Sequence, residues 1–309
     1  MLPLSLPWVI LLLLLIIIGL LLWKKWFFSG LLIIVIVVLN WWAECIPFRL
    51  WSVNDISDVP PIKVMSFNIS GTSKDIHPKV AALVSLIKRY APDIIFISEI
   101  SNENKPVLDS LMLTVYPYTA FTDGYAHCFY SKGELKGWRK LEDDSAEHLG
   151  AYTCVLPVNG DSITLYGCHF ASNNYNAKQQ YITPDSINSR KQLKTYMSDV
   201  KRAYGLRKEE ANILAEEVRS SKHPVVVMGD FNDVGGSKAV RALENVGLDD
   251  AWWKGGFGYG ATIHYPLPYR IDHIMYSNGL KLTKIKVVES EGLSDHDALY
   301  AEFKIQKKY

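Results

Sequence analysis

Residues 224–233 read PVVVMGDFND. Val225 to Met228 form an unbroken apolar run between Pro224 and Gly229, as expected of a strand buried on both faces. Packing gives such a strand no reason to end in Asp230 and Asn232. Alone, Asp230-Phe231-Asn232 reads as a turn. The same pattern recurs along the chain. IKVMSFNIS (62–70) ends at Asn68, DIIFISEI (93–100) at Glu99, and DSITLYGCHF (161–170) brings His169 to its end. RIDHIMYS (270–277) opens with Asp272 and His273. The turn in GLSDHDALY (292–300) holds Asp295, His296 and Asp297 just before the last strand. One polar strand end is ordinary. Six such ends point to a site, because functional residues gather where loops leave a rigid scaffold.

HCFYSK (127–132), AYTCVLPV (151–158), LKLTKIKVVES (280–290) and ALYAEFKI (298–305) add four more strands rich in Val, Ile, Tyr and Phe. Between the strands, Val80, Leu83, Val84 and Ile87 follow the i, i+3, i+4, i+7 spacing of a helix. Ala211, Leu214, Ala215 and Val218 repeat it. Strands interspersed with amphipathic helices predict an α/β (α+β) domain, with sheets covered by helices, over residues 62–309.

The polar set is chemically coherent. Carboxylates with an asparagine and no thiolate are hard oxygen ligands, suited to Mg²⁺ or Mn²⁺ rather than zinc. Histidines beside them can donate to phosphate oxygens or move protons near neutral pH. Together they meet the needs of metal-assisted phosphoester hydrolysis.

In this order the motifs resemble the endonuclease/exonuclease/phosphatase superfamily, from Ile62 to about Ile305. They are Asn68 at a strand end, Glu99 after an apolar strand, His169, GDFN (229–232), RIDHI (270–274) and SDH (294–296). The resemblance implies a four-layer αββα sandwich of two mixed sheets with outer helices. It implies that Glu99 is the main metal ligand, with Asn68 beside it and Asp295 helping at the metal or nucleophile side. Asp230 would orient or deprotonate the attacking water, and Asn232 would hold Asp230 and a phosphate oxygen. His296 would stabilise the developing phosphoryl charge, with Asp272 fixing its tautomer, and His169 would be a second phosphate-side histidine. The family often pairs the His169 position with an acidic residue, and the sequence singles none out. Arg207 resembles, in its place, a family arginine that approaches the phosphate.

Residues 171–206 read as an insertion with a helix near 188–203, followed by a helix beginning at Arg207. The insertion holds Tyr175, Tyr181, Tyr196 and Tyr204, and six positive charges against two negative. It is either a solvated excursion or a substrate lip, with basic charge for phosphate and tyrosines, Tyr175 among them, for bases or head groups.

The first 45 residues are of another kind. Leu2–Trp23 is 22 residues without a charge, Lys24-Lys25 follows, and Trp26–Ala43 is 18 more without one. Each run is long enough to span a bilayer. Six of the nine tryptophans lie in or just after these runs, mostly at their ends, where the membrane interface favours them. No positive segment precedes the first run and a second follows it, which argues against a cleaved signal peptide. The expectation is a two-helix transmembrane hairpin (about 2–23 and 26–43), a linker over 46–61 ending in Pro60-Pro61, and the catalytic domain. The positive-inside rule sets the lysine turn in the cytoplasm and the catalytic domain outside it.

The chain of 309 residues is 49% hydrophobic and 21% charged, which excludes disorder. Residues 51–309 carry 30 positive and 31 negative charges, so the domain lacks the strongly basic balance of tight non-specific duplex binders. Cys45, Cys128, Cys154 and Cys168 show neither a CxxC nor a zinc spacing. Three functions stay open: a nuclease, a phosphodiesterase or phosphatase on lipid head groups or small esters, and a tethered binding module without activity. The last has no need of Glu99, Asp230 and His296 together. No protein partner is expected.

Overall fold

Twelve strands among the described residues form two six-stranded sheets. The computed structural model describes residues 2–48, 60–69, 76–121, 127–143, 146, 149–158, 160–173, 189–264 and 267–306. The first sheet runs β11 (Leu280–Val288), β12 (Ala298–Ile305), β1 (Ile62–Asn68), β2 (Ile94–Ser98), β4 (Cys128–Ser131), β3 (Tyr118–Phe121). The second runs β5 (Lys136–Lys140), β6 (Ala151–Val158), β7 (Asp161–His169), β8 (Val225–Asp230), β10 (Asp272–Ser277), β9 (Leu248–Asp250). Each sheet has one parallel pair at its centre, β1 with β2 and β7 with β8, and is otherwise antiparallel.

A parallel pair needs a crossover. Helix α3 (Ile76–Tyr90) supplies the first and α5 (Arg190–Ser220) the second. Helix α4 (Lys105–Met112) joins α3 on the outer face of the first sheet, and α6 (Lys238–Glu244) joins α5 on that of the second. A short helix, α7 (Ala251–Gly255), follows β9.

Strand periodicity divides the apolar residues into three layers. Val64, Ile94, Phe96, Val226, Met228, Leu299 and Phe303 pack between the sheets. Their neighbours Met65, Ile95 and Ile97 face α3 and α4, while Val225 and Val227 face α5 and α6. This is the expected four-layer sandwich. Gly167 sets the sheet spacing at its tightest point, where a Cβ would lie 2.3 Å from the Phe96 ring.

The nine segments read as strands all form strands. Three strands were not foreseen: β3, β5 and β9. The helix expected near 188–203 and the one expected to begin at Arg207 are a single helix, α5. Val200, Ala203, Leu206, Arg207, Glu210, Ala211, Leu214 and Val218 give it one continuous buried stripe. Tyr175 and the rest of 174–188 lie outside the described residues, as does 49–59 of the expected linker.

The N-terminal helices α1 (Leu2–Leu22) and α2 (Trp26–Ala43) form an antiparallel hairpin turned at Lys24-Lys25. Both are long and apolar enough to cross a membrane. Leu6 and Ile10 of α1 pack with Leu39, Ala43 and Cys45 at the open end. That end is seated on the two-sheet sandwich. Ala43 is fully buried, and a Cβ on Gly236 would come within 2.7 Å of its Cα. Arg241 of α6 lies between Glu44 (3.3 Å) and Glu244 (2.7 Å) and also bonds the Trp42 carbonyl.

Burial and the adjoining Glu44 push the Glu244 carboxyl up to about 8. Folded Glu244 therefore keeps its proton at pH values where the unfolded chain has lost it. Stability falls as pH rises from about 4.5 to about 8. Glu244→Gln is expected to remove that slope. Its thermal midpoint in detergent should exceed the wild-type value increasingly up to about pH 8 and then level off. Parallel curves for the two proteins would refute this.

Candidate active site

The topology brings the polar strand ends together. Asn68 and Glu99 leave the carboxyl ends of β1 and β2 in the first sheet. His169 and Asp230 end β7 and β8 in the second, as register partners. Asp272 opens β10 opposite Asp230, and His296 lies two residues before β12. The cluster is thus assembled from both sheets at one edge of the sandwich.

Asn68 ties the halves together. Its side-chain amide donates to Glu99 Oε1 at 2.9 Å and to Asp230 Oδ2 at 3.1 Å. His169 Nε2 lies 3.4 Å from Glu99 Oε1 and 3.7 Å from Asp230 Oδ2, with no hydrogen-bond partner of its own. Glu99 and Asp230, both singled out in the sequence, are the carboxylates nearest this nitrogen among the described residues. His296 Nδ1 donates to Asp272 Oδ2 at 2.9 Å, leaving Nε2 facing Asp230 Oδ2 at 3.9 Å.

Local backbone serves these placements. Gly229 has φ +149°, and a Cβ there would lie 1.8 Å from the Cys168 carbonyl oxygen, so only glycine fits beside β7. Glu99 (φ +59°) and Asn232 (φ +51°) hold left-handed backbone without being glycine, a strain of the kind kept at functional sites. The Asn232 N–H donates to Asp230 Oδ1 at 2.7 Å, and its side-chain amide donates to the Phe170 carbonyl at 2.9 Å. Ser294, which sequence reading passed over, donates to the Asn68 carbonyl and accepts from the His296 N–H. Its signal lay in the SDH motif itself.

Electrostatics set the protonation states. Burial pushes the Asp230 carboxyl up, and the Asp272 charge adds to that rise. Burial alone would lower His296, but Asp272, Asp230 and Asp295 outweigh it and carry the imidazole up to about 10. At neutral pH His296 is an imidazolium whose Nε2–H is aimed at the cluster.

Two groups of side chains are close enough to hold a cation: Glu99 with His169 and Asp230, and Asp230 with Asp272 and His296. In the first, two carboxylates and an imidazole nitrogen converge closely enough to hold a divalent cation. Asp295, expected at the metal or nucleophile side, is exposed and belongs to neither group. Its charge contributes to the rise of His296.

Arg207 corrects an expectation. It does not face a phosphate. It is fully buried, with Nε 3.3 Å from Asp233 and Nη1 donating to the Ala171 carbonyl and to Asn173. A cation without exposure offers nothing to a ligand and instead neutralises a buried carboxylate. It belongs to a charged layer beneath the site. There His273 bonds the Asp233 carbonyl and Asp250, and Arg270 pairs with Asp250 at 2.7 Å. Thr262 Oγ1 accepts from the N–H groups of Ile271 and Asp272, which fixes the start of β10.

The model of the Endonuclease/Exonuclease/phosphatase family matches residues 65–296, most of the chain. No curated protein matches. Among solved structures, humanized D. rerio TDP2 aligns with a TM-score of 0.58 at 16% identity, covering 79% of this chain and 99% of its own. An endonuclease/exonuclease/phosphatase from Bacteroides vulgatus gives 0.57 at 17%, covering 80% and 100%. Sphingomyelinase C from Streptomyces griseocarneus gives 0.54 at 15%, covering 79% and 99%. At these identities the likeness is one of fold. The family match and the shared two-sheet architecture together establish that the chain belongs to the endonuclease/exonuclease/phosphatase family.

Proposed function

We propose that the chain is a membrane-anchored phosphoester hydrolase that depends on Mg²⁺ or Mn²⁺. One observation carries the reading: Glu99 and Asp230, from different sheets, share the Asn68 amide beside His169 and the His296–Asp272 pair. Glu99 and Asn68 would hold the cation, which supplies Lewis-acid charge at the phosphoryl oxygens. Asp230 orients the attacking water and takes its proton, a role favoured by its raised carboxyl. Asn232 holds Asp230 through its backbone N–H and faces a phosphate oxygen. His296, charged and held by Asp272, stabilises the negative charge that grows on the phosphoryl group, with His169 beside it. Attack is direct, with no covalent enzyme intermediate.

The hairpin would cross the membrane twice, with Lys24-Lys25 in the cytoplasm and the catalytic domain outside it. A nuclease and a lipid phosphodiesterase share this chemistry. The exposed Lys191, Lys194 and Lys201 on α5 suit a polyanion, but the domain as a whole is nearly neutral.

The test uses the full chain in detergent with bis(p-nitrophenyl) phosphate, a soluble diester. Hydrolysis is expected with Mg²⁺ or Mn²⁺, lost on EDTA and restored by added cation. A rate indifferent to EDTA would refute the reading.

A further inference from the structure

The open end of the hairpin is built into the wall of the site. The Trp8 indole N–H donates to the Tyr269 hydroxyl at 3.2 Å, with the two rings edge to face. Tyr269 pairs with Ile263, and Ile263 in turn bridges to His296. Tyr269 is three positions before Asp272, at most about 11 Å of chain.

The tryptophans give this contact a depth. Leu6 and Ile10, on either side of Trp8, pack with Leu39 and Ala43, so Trp8 stands level with Trp41 and Trp42. Trp23 and Trp26 mark the other end. A span of 18 helical residues measures about 27 Å, close to the hydrocarbon thickness of a bilayer. The upper tryptophans then sit at head-group level, and Tyr269 sits there with them.

The surface around this point is apolar where a soluble protein would be polar. Phe48, which follows the hairpin, is 71% exposed and packs edge to face on Phe257, itself 60% exposed. Leu267, two residues before Tyr269, is also exposed. Tyr196 of α5 lies near Tyr269, and its neighbours Leu193 and Met197 are exposed as well. Lys191 and Lys194 flank Leu193. Apolar side chains among lysines suit an interface with anionic head groups.

We propose that this collar rests on the bilayer that the hairpin crosses, and that the substrate is a phosphoester carried by a membrane lipid. The inference rests on the hydrolase and anchor readings above. It adds that the catalytic pocket is held at head-group level by Trp8–Tyr269 and the Gly235-Gly236 seat.

Two measurements on the full chain in phosphatidylcholine vesicles containing an anionic phospholipid test it. The four native cysteines are buried, so an NBD dye on Leu267→Cys reports that position alone. Blue-shifted emission, quenched by spin-labelled phosphatidylcholine, is expected. Water-like emission open to iodide would overturn the seating. The second measurement compares phosphate-ester release from vesicle phospholipid with hydrolysis of soluble bis(p-nitrophenyl) phosphate. Phe257→Asp with Leu267→Asp should lose about tenfold or more on lipid, the scale of one buried apolar side chain, and keep its rate on the soluble ester. Equal loss on both esters, or cleavage of plasmid DNA with the lipid untouched, would overturn the substrate assignment. Hydrolysis of neither ester overturns the hydrolase reading and the substrate assignment with it, while the dye still decides the seating.

Discussion

Replacing Glu99 with glutamine is expected to reduce hydrolysis by about 10³-fold or more, since the charge stabilisation a bound cation supplies amounts to several kcal/mol. The substitution is nearly isosteric. A glutamine oxygen can still accept from the Asn68 amide, so that link between the sheets survives. What disappears is a formal negative charge beside Asp230 and His169. The Mg²⁺ concentration for half-maximal rate should rise, while the thermal midpoint in EDTA stays near wild type. A variant with full activity and an unchanged metal requirement would remove Glu99 from the cation site.

His296→Ala is expected to cost about 10²–10³ in rate, the scale of losing one preorganised donor to a developing oxyanion. The loss should fall on kcat more than on KM, because the charge it meets grows only in the transition state. A titration separates this from mere disruption. Folded His296 holds its proton up to about 10, against 6.5 ordinarily. Its stabilising pairing is complete below the lower value and fades as pH rises through the higher one. Wild-type stability should therefore decline across that window, and the variant should lack that part of the decline. A rate loss under tenfold would assign the stabilising role elsewhere.

The strands that were legible in sequence are those buried on one or both faces. Their apolar runs are long and end in residues packing does not explain. The three that escaped, β3, β5 and β9, all lie at sheet edges. β5 reads KGWRK with no fully buried residue, and β9 has only three residues. Edge strands of this kind carry charge and irregularity instead of an apolar pattern. The continuity of α5 was hidden for a related reason: its first turns are solvated, so the apolar stripe begins only at Val200.

The site was legible residue by residue because carboxylates and histidines at the ends of apolar strands stand out. Five of them, Glu99, His169, Asp230, Asp272 and His296, converge in the structure together with Asn68. Arg207 was set beside the phosphate by its place in the family pattern, which says nothing of its burial. Its counter-charge, Asp233, follows GDFN by one residue and carried no separate signal. The seat of the hairpin was invisible as well, since Gly235-Gly236 looks like an ordinary turn until Ala43 is seen against it.

The two central parallel pairs have one further consequence. Each sheet contributes half of the reactive cluster, and the halves meet across a seam spanned by Asn68. Neither half is a smaller version of the whole. Glu99 and Asp230 follow or end central strands of different sheets, so parting the sheets at this seam separates them. Activity from this cluster would therefore require both sheets in register at the seam, and would report its integrity.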